Sequence, residues 1–106
     1  MSYGSPIGPT VEEEITMKSF LTAARAEALF TSPIATGSRP SFDVVDDAIR
    51  IAVRDHQGVR GCAADVAGEY GDHPELAAPR MRWARRLVEE LYAARPGHRR
   101  GWALVA

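Results

Sequence analysis

Apolar side chains recur along most of this chain at intervals of three and four residues, the spacing that places them on one face of a helix. The pattern predicts four helices, and no segment shows the alternation of apolar and polar residues that is typical of a β-strand. The four apolar stripes comprise Met17, Phe20, Leu21, Ala24 and Ala28; Val45, Ala48, Ile49, Ala52 and Val53; Ala63, Val66, Ala67 and Tyr70; and Met81, Ala84, Leu87, Val88 and Leu91. The sequence therefore predicts an all-α fold, a small domain of four helices of unequal length.

The start of each of the first two helices is marked by a capping signal. Thr10 and Glu13 have the spacing of a capping box, in which each side chain accepts a hydrogen bond from the other residue's backbone amide. This predicts a first helix over residues 11–30. Residues 31–40 contain two prolines and a glycine and are expected to form a loop. Ser41 then offers an N-cap for the second helix.

Glycine and proline set the expected boundaries in the second half of the chain. The second helix is expected to end before a glycine turn over residues 58–61, and a third helix to follow over residues 62–70, with Gly71 just beyond its end. Pro79 has no amide hydrogen, and inside a helix its ring would clash with the preceding turn. We therefore expect a turn or kink over residues 74–78 and a fourth helix that begins near Pro79.

The chain has 106 residues, the length of one domain, and its 45% of apolar and 25% of charged residues are ordinary for a globular protein. We expect a flexible N-terminal lead-in over 1–9, a single helical domain over 10–95, and a basic and apolar C-terminal tail over 96–106.

The lone cysteine cannot form an internal disulfide, no apolar run approaches the ~20 residues of a membrane span, and the first residues do not resemble a signal peptide. These features predict a cytoplasmic protein without a membrane partner, and its richness in arginine and alanine is typical of bacteria with GC-rich genomes.

Charge is distributed unevenly, although the chain as a whole carries only −1. From Arg80 to the end there are seven arginines against two glutamates. A basic region of this kind indicates either an anionic partner or a solvated helix face. The candidate binding surface comprises Arg80, Arg82, Arg85, Arg86 and Trp102. Trp102 belongs to the apolar end of the tail, which either packs on the domain or anchors another chain.

A short helix, a glycine turn and an arginine-rich helix also have the outline of a helix-turn-helix, whose second helix lies in the major groove of DNA. Three residues match the residue types of that motif, namely Val66, Ala67 and Tyr70. Three others conflict with it, namely Asp72, Pro79 and Arg80. We therefore interpret the chain as a non-catalytic interaction or regulatory module whose partner is another protein or a second copy. A DNA-binding regulator of helix-turn-helix type is the alternative.

No group of residues points to catalysis or to a bound cofactor. Cys62 follows Arg60 at the start of a predicted helix, a setting that lowers the pKa of a thiol, so a reactive cysteine is one hypothesis and a small buried residue is the other. His56, Cys62, His73 and Glu75 are residue types that bind metals, but their spacing matches no structural zinc site. No pair of carboxylates stands out from the charged helix faces. We predict neither enzyme activity nor a metal or cofactor.

Between residues 61 and 85 the chain reads Gly-Cys-Ala, then Val-Ala, then Glu-Tyr-Gly-Asp-His-Pro-Glu, then Arg-Met-Arg-Trp-Ala. This core resembles that of a group of small uncharacterised actinobacterial proteins. The resemblance implies a shared helical fold but no activity, so no catalytic residue is carried over. It marks positions that serve either folding or recognition, namely Cys62, Asp72, His73, Pro74, Arg80, Arg82 and Trp83.

Overall fold

A computed structural model describes residues 10–93, which form four α-helices. In chain order these are α1 (Val11–Thr31), α2 (Phe42–Asp55), α3 (Val59–Asp72) and α4 (Pro74–Ala93). The predicted all-α fold is confirmed, and the described residues contain no strand. Within this part of the chain no helix has both the length and the apolar character that crossing a bilayer requires. The predicted lead-in over 1–9 and the tail over 96–106, with Trp102, lie outside the described residues.

Helix α1 runs through the middle of the domain and contacts the other three helices. Its side chains are buried or half-buried throughout residues 21–30, and Leu29 is fully inaccessible. Residues 11–20, by contrast, are exposed on every side of the helix. Met17 and Phe20, which the sequence placed in the core stripe, are therefore exposed, because none of the described helices extends alongside the first half of α1.

The main core lies where α1, α2 and α4 meet. Val45, Ile49 and Ala52 repeat along one face of α2 and are buried, as the apolar stripe predicts. They pack with residues of the other helices, namely Ala24, Ala28, Leu29, Cys62, Ala84, Leu87 and Val88. The buried face of α3 overlaps the predicted one only in part, since Val66 is buried and Ala63 half-buried as the stripe predicts. Cys62 and Val66 are its buried residues, whereas Ala67 and Tyr70 are exposed.

Polar side chains join α1, α2 and α4 beside this core. The hydroxyl of Tyr92 donates a hydrogen bond of 2.6 Å to Asp46, and Arg50 approaches the other oxygen of that carboxylate at 3.1 Å. The guanidinium carbon of Arg25 lies 4.2 Å from the centre of the Tyr92 ring, which also meets the Phe42 ring edge-on at 4.9 Å. The end of α4 is thereby fixed to both α1 and α2.

The capping signals read from the sequence are confirmed. The Thr10 hydroxyl accepts from the amide of Glu13 at 3.1 Å, and the Glu13 carboxylate accepts from the amide of Thr10 at 2.9 Å. The Ser41 hydroxyl accepts from the amide of Val44 at 3.4 Å. These side chains satisfy amides that have no partner within their helix, which is why each helix begins where it does.

Helix α3 begins three residues earlier than predicted, because the chain needs only three residues, 56–58, to reverse after α2. Gln57 and Gly58 have positive φ angles of 61° and 115°, and the Gly58 amide donates to the carbonyl of Val53 at 2.7 Å. Gly61 belongs to the first turn of α3 and lies against the end of α2. A Cβ atom at that position would stand 1.8 Å from the carbonyl oxygen of His56, so only glycine permits this approach.

The predicted break between the third and fourth helices is also displaced. Helix α3 continues through Gly71 to Asp72, so Gly71 does not lie beyond its end as predicted, and His73 alone separates α3 from α4. The turn or kink over residues 74–78 is wrong, since α4 is helical from Pro74 onward and contains Pro79. Pro79 is tolerated because a single turn precedes it, and the carbonyl that loses its hydrogen bond belongs to the exposed residue Glu75.

Candidate functional site

Arg80, one of the predicted surface residues, has its guanidinium bonded to the end of α1. Its Nε donates to the carbonyl of Phe30 at 2.8 Å, and its Nη2 donates to the carbonyls of Ser32 at 2.8 Å and Leu29 at 3.5 Å. Its Nη1 donates to the hydroxyl of Thr36 at 2.7 Å. The last carbonyls of a helix have no partner within it, and Arg80 supplies donors to them from another helix. Arg80 is therefore engaged in holding the fold together.

Trp83 fixes the loop between α1 and α2 to the same stretch of α4. Its indole Nε1 donates to the carbonyl of Ser38 at 2.9 Å. The Arg80 guanidinium lies 5.0 Å from the Trp83 ring and 5.6 Å from the Phe30 ring, within the range of a cation–π contact. Burial lowers the pKa of Arg80 from its ordinary value, but an arginine so bonded stays protonated. Loop and helix are thus held in one arrangement.

A groove of about 260 Å³ lies between this loop and α4, and we call it the basic groove. Arg39 enters it from the loop, and Arg82 and Arg86 enter it from successive turns of α4. The full lining is Gly37, Ser38, Arg39, Pro79, Arg82, Trp83, Arg86, Leu87 and Glu90.

The three arginines of the basic groove make no ion pair among residues 10–93, although Glu90 lines the same groove. All three are exposed, and none of them makes a hydrogen bond or an ion pair within this part of the chain. A guanidinium binds carboxylates and phosphates through two parallel hydrogen bonds, and three of them around one groove reinforce each other. The arrangement is suited to an anionic group that lies against Trp83.

The remaining arginine of the predicted surface lies elsewhere. Arg85 does not line the basic groove. It lies near Glu27 of α1, where burial raises the pKa of the Glu27 carboxyl and the charge of Arg85 offsets part of that rise. Sequence reasoning missed Arg39, which is 43 positions before Arg82. The only feature of the sequence that marked Arg39 was its place two residues after Gly37 in a predicted loop, and this does not show that Arg39 lies near α4.

A second groove, of about 580 Å³, lies between residues 31–34 of the same loop and α2, and we call it the acidic groove. Val44 and Ile51 line it and are 51% and 40% exposed, values that mark them as surface rather than core. Asp43, Asp47 and Asp55 supply its charge. Sequence reasoning missed this groove as well. Its signal was the presence of two large apolar residues on the polar side of the α2 stripe.

Cys62 and the other metal-competent residues do not form a site. Cys62 is fully buried, its thiol lies 3.7 Å from the carbonyl of Ala52, and burial raises its pKa, which is the opposite of activation. His56 contacts the same carbonyl through Nδ1 at 2.9 Å and lies 3.8 Å from Asp65 through Nε2. His73 and Glu75 are exposed at the start of α4. Within the described ranges no three of these residue types are grouped closely enough to hold a metal ion.

The motif positions at residues 72–74 lie at the junction of α3 and α4. The amide of His73 donates to the carbonyl of Glu69 at 2.7 Å and so ends α3. The carbonyl of His73 accepts from the amides of Leu76 and Ala77 at 3.0 and 2.9 Å and so begins α4. Pro74 is the first residue of α4, where its missing amide hydrogen costs nothing. The backbone of these residues thus forms the junction between α3 and α4.

Comparison with models of protein families, with curated proteins and with solved structures finds no match for this chain. The resemblance between residues 61–85 and small actinobacterial proteins accordingly stays a prediction. Among the grooves beside the α1–α2 loop, the basic groove and the acidic groove are the features from which we infer a function.

Proposed function

We propose that this protein is a non-catalytic interaction module whose basic groove binds an acidic segment of a partner protein. The observation that carries the proposal is the convergence of Arg39, Arg82 and Arg86 on one groove walled by Trp83, where none of the three makes an ion pair with another described residue. Arginine stays protonated at every physiological pH, so these residues are suited to bind charge and not to transfer protons.

The groove is also held in shape before any ligand binds. Arg80 and Trp83 together make three contacts with residues 32–38 of the loop that carries Arg39, at 2.7 to 2.9 Å. Arg39 is therefore kept close to the two arginines of α4. A preorganised site loses less conformational entropy on binding, which favours affinity.

Two features favour a protein over a nucleic acid as the partner. Glu90 lines the groove one turn beyond Arg86 and repels carboxylates and phosphates alike, but a peptide can place a backbone amide opposite it, whereas a nucleic-acid backbone carries a phosphate at every step. The chain as a whole carries −1, whereas nucleic-acid-binding domains are commonly strongly basic. A groove of this size accommodates a few side chains and is small for a cofactor.

Fluorescence anisotropy of a labelled acidic peptide, rich in glutamate and aspartate, tests the proposal at low salt. We expect saturable binding that weakens about tenfold or more in the double variant Arg82→Glu/Arg86→Glu, since each charge-assisted contact contributes about 1.5–3 kcal/mol. Arg60→Glu changes an exposed arginine of α3 and serves as the control. Absence of binding by the wild type, or an equal loss in Arg60→Glu, would contradict the proposal.

DNA binding is a second candidate because Arg82, Arg85 and Arg86 are all exposed on α4. The geometry of a helix-turn-helix is not confirmed, however. One residue separates α3 from α4 where that motif has a turn of three or four, and the first turn of α4, which would meet the bases, carries Glu75. A gel shift with random duplex at low salt distinguishes the two, since phosphate contacts are strongest there. Binding that Arg85→Glu weakens as much as Arg86→Glu would favour DNA, because Arg85 lies outside the groove.

A further inference from the structure

We infer that a second copy of this chain is a partner of the basic groove, and that the two copies form a symmetric dimer in which each basic groove meets the acidic groove of the other. The inference rests on the proposed function, because it takes the basic groove to be a binding site. It adds the identity of one partner and assigns a role to the acidic groove.

The charges of the two grooves match in number and spacing. Asp43 and Asp47 are four residues apart on α2, and Arg82 and Arg86 are four residues apart on α4. Residues with this spacing lie about 6 Å apart on one face of a helix. Two carboxylates on one helix can therefore face two guanidinium groups on another in a single packing arrangement.

Neither member of the aspartate pair has a cation within the described part of the chain. Asp43 and Asp47 make no ion pair there, whereas Asp55, at the other end of the groove, lies 3.9 Å from Arg54. Asp43 and Asp47 thus lack the counter-charge that the basic groove offers. Two basic grooves, or two acidic grooves, would repel each other, so the charges favour contact between a basic groove and an acidic one.

The acidic groove additionally exposes apolar area that the partner would cover. Val44 and Ile51 protrude beside the aspartates. The basic groove offers Pro79 and the ring of Trp83 as apolar surface next to its arginines. Contact between these side chains would remove apolar area from water, and the surrounding charges would form the polar rim that is usual at interfaces.

The positions of the grooves explain why a second copy, rather than another protein, fits both. The same loop borders the two grooves, the acidic one through residues 31–34 and the basic one through residues 37–39. In a two-fold symmetric interface, a patch on one side of the axis meets the patch on the other side. An axis that passes near the middle of the loop, where Ala35, Thr36 and Gly37 are small and exposed, would form both contacts together.

Sedimentation velocity at low salt, with charge-reversal variants, tests the dimer. We expect the wild type to be dimeric at about 100 µM and to dissociate as salt is added, the behaviour of a small, charge-dominated interface. Asp43→Arg/Asp47→Arg and Arg82→Asp/Arg86→Asp should each be monomeric, because each makes both grooves alike in charge. An equimolar mixture of the two should form a heterodimer, since opposite charges again face each other at both contacts.

Glu69→Arg/Asp72→Arg is the matched control. It reverses two exposed acids of α3 that lie outside both grooves, and so changes the net charge by the same amount as the α2 variant. We expect it to dimerise like the wild type and to gain nothing when mixed with the arginine-reversed variant. Circular dichroism establishes that each variant is folded before it is compared.

The outcomes separate this inference from the proposed function. A monomeric wild type, a control variant that is monomeric as well, or a mixture that stays monomeric would each overturn the dimer. If the acidic peptide still binds the wild type through Arg82 and Arg86, the proposed function stands and only the dimer falls. A dimer that follows the charge-reversal pattern while the peptide fails to bind supports the dimer and overturns the peptide-binding proposal.

Discussion

The Nε of Arg80 donates to the carbonyl oxygen of Phe30 across 2.8 Å and so joins α4 to the end of α1, 50 residues away in sequence. The same guanidinium reaches Ser32 and Thr36. One side chain therefore caps a helix and holds the loop that borders both grooves.

Replacing Arg80 with alanine is expected to lower the free energy of unfolding by about 2–3 kcal/mol, because carbonyls that are shielded from water lose a charged donor. Arg80→Lys should recover only part of this loss, since an ammonium cannot reach several acceptors in the planar geometry of a guanidinium. Urea denaturation measures both. The exposed neighbour Arg82→Ala is the control and should change stability by less than about 0.5 kcal/mol. An Arg80→Ala protein as stable as Arg82→Ala would contradict this role.

Two glycines of α3 predict opposite responses to the same substitution. Gly61→Ala places a Cβ 1.8 Å from the His56 carbonyl oxygen, so α2 and α3 must move apart, and we expect a loss of several kcal/mol, about 3 or more. Gly68 is also helical, but a Cβ there meets nothing within 4 Å. Gly68→Ala should therefore raise stability by about 0.5–1 kcal/mol, the helix preference of alanine over glycine. Thermal melting of the two variants checks the sign of each change, and a Gly61→Ala protein as stable as the wild type would show that the α2–α3 contact is wrong.

We predict that the protein loses stability at alkaline pH because the Tyr92 hydroxyl is partly buried. Burial and the hydrogen bond to Asp46 raise the pKa of Tyr92 well above its usual value of about 10. The folded state thus keeps a proton that the unfolded state releases, so the contribution is complete below pH about 10 and declines as the pH rises above that value. Unfolding free energy measured between pH 8 and about 11 should fall less steeply in Tyr92→Phe than in the wild type. Equal slopes would mean that the Tyr92 hydroxyl is not held as described.

Cys62 is expected to be inert in the folded protein. Its thiol is fully buried and burial raises its pKa, so both access and thiolate content are low. A thiol reagent at neutral pH should label the native protein slowly and the urea-unfolded protein at once. Rapid labelling of the native state would revive the hypothesis of a reactive cysteine, which the position of Cys62 after Arg60 suggested.

Local signals in the sequence were sufficient for the helices but not for the grooves. The capping box at Thr10 and the N-cap at Ser41 involve residues three apart, so the spacing alone carries the information. The start of α4 was misjudged because the rule against proline inside a helix is general, whereas the cost at Pro79 depends on how exposed the preceding turn is.

The roles of the arginines could not be assigned from their positions in the chain. Arg80, Arg82 and Arg86 look alike in sequence, yet one is bonded to α1 and the other two line the basic groove. What separates them is the path of the α1–α2 loop, which brings Thr36 to Arg80 and Arg39 to the groove. That path depends on contacts between residues more than 40 positions apart, which no periodic pattern records.

The most direct test of the basic groove as a binding site is the indole N–H signal of Trp83 in a ¹⁵N–¹H NMR spectrum during titration with the acidic peptide. The chain has two tryptophans, so the Trp102→Phe variant, which retains a single indole N–H, assigns the signal to Trp83. We predict that this signal shifts progressively to saturation, and that the shift is abolished in Arg82→Glu/Arg86→Glu. A Trp83 signal that stays in place while the peptide binds would contradict the account, because binding would then occur elsewhere on the protein.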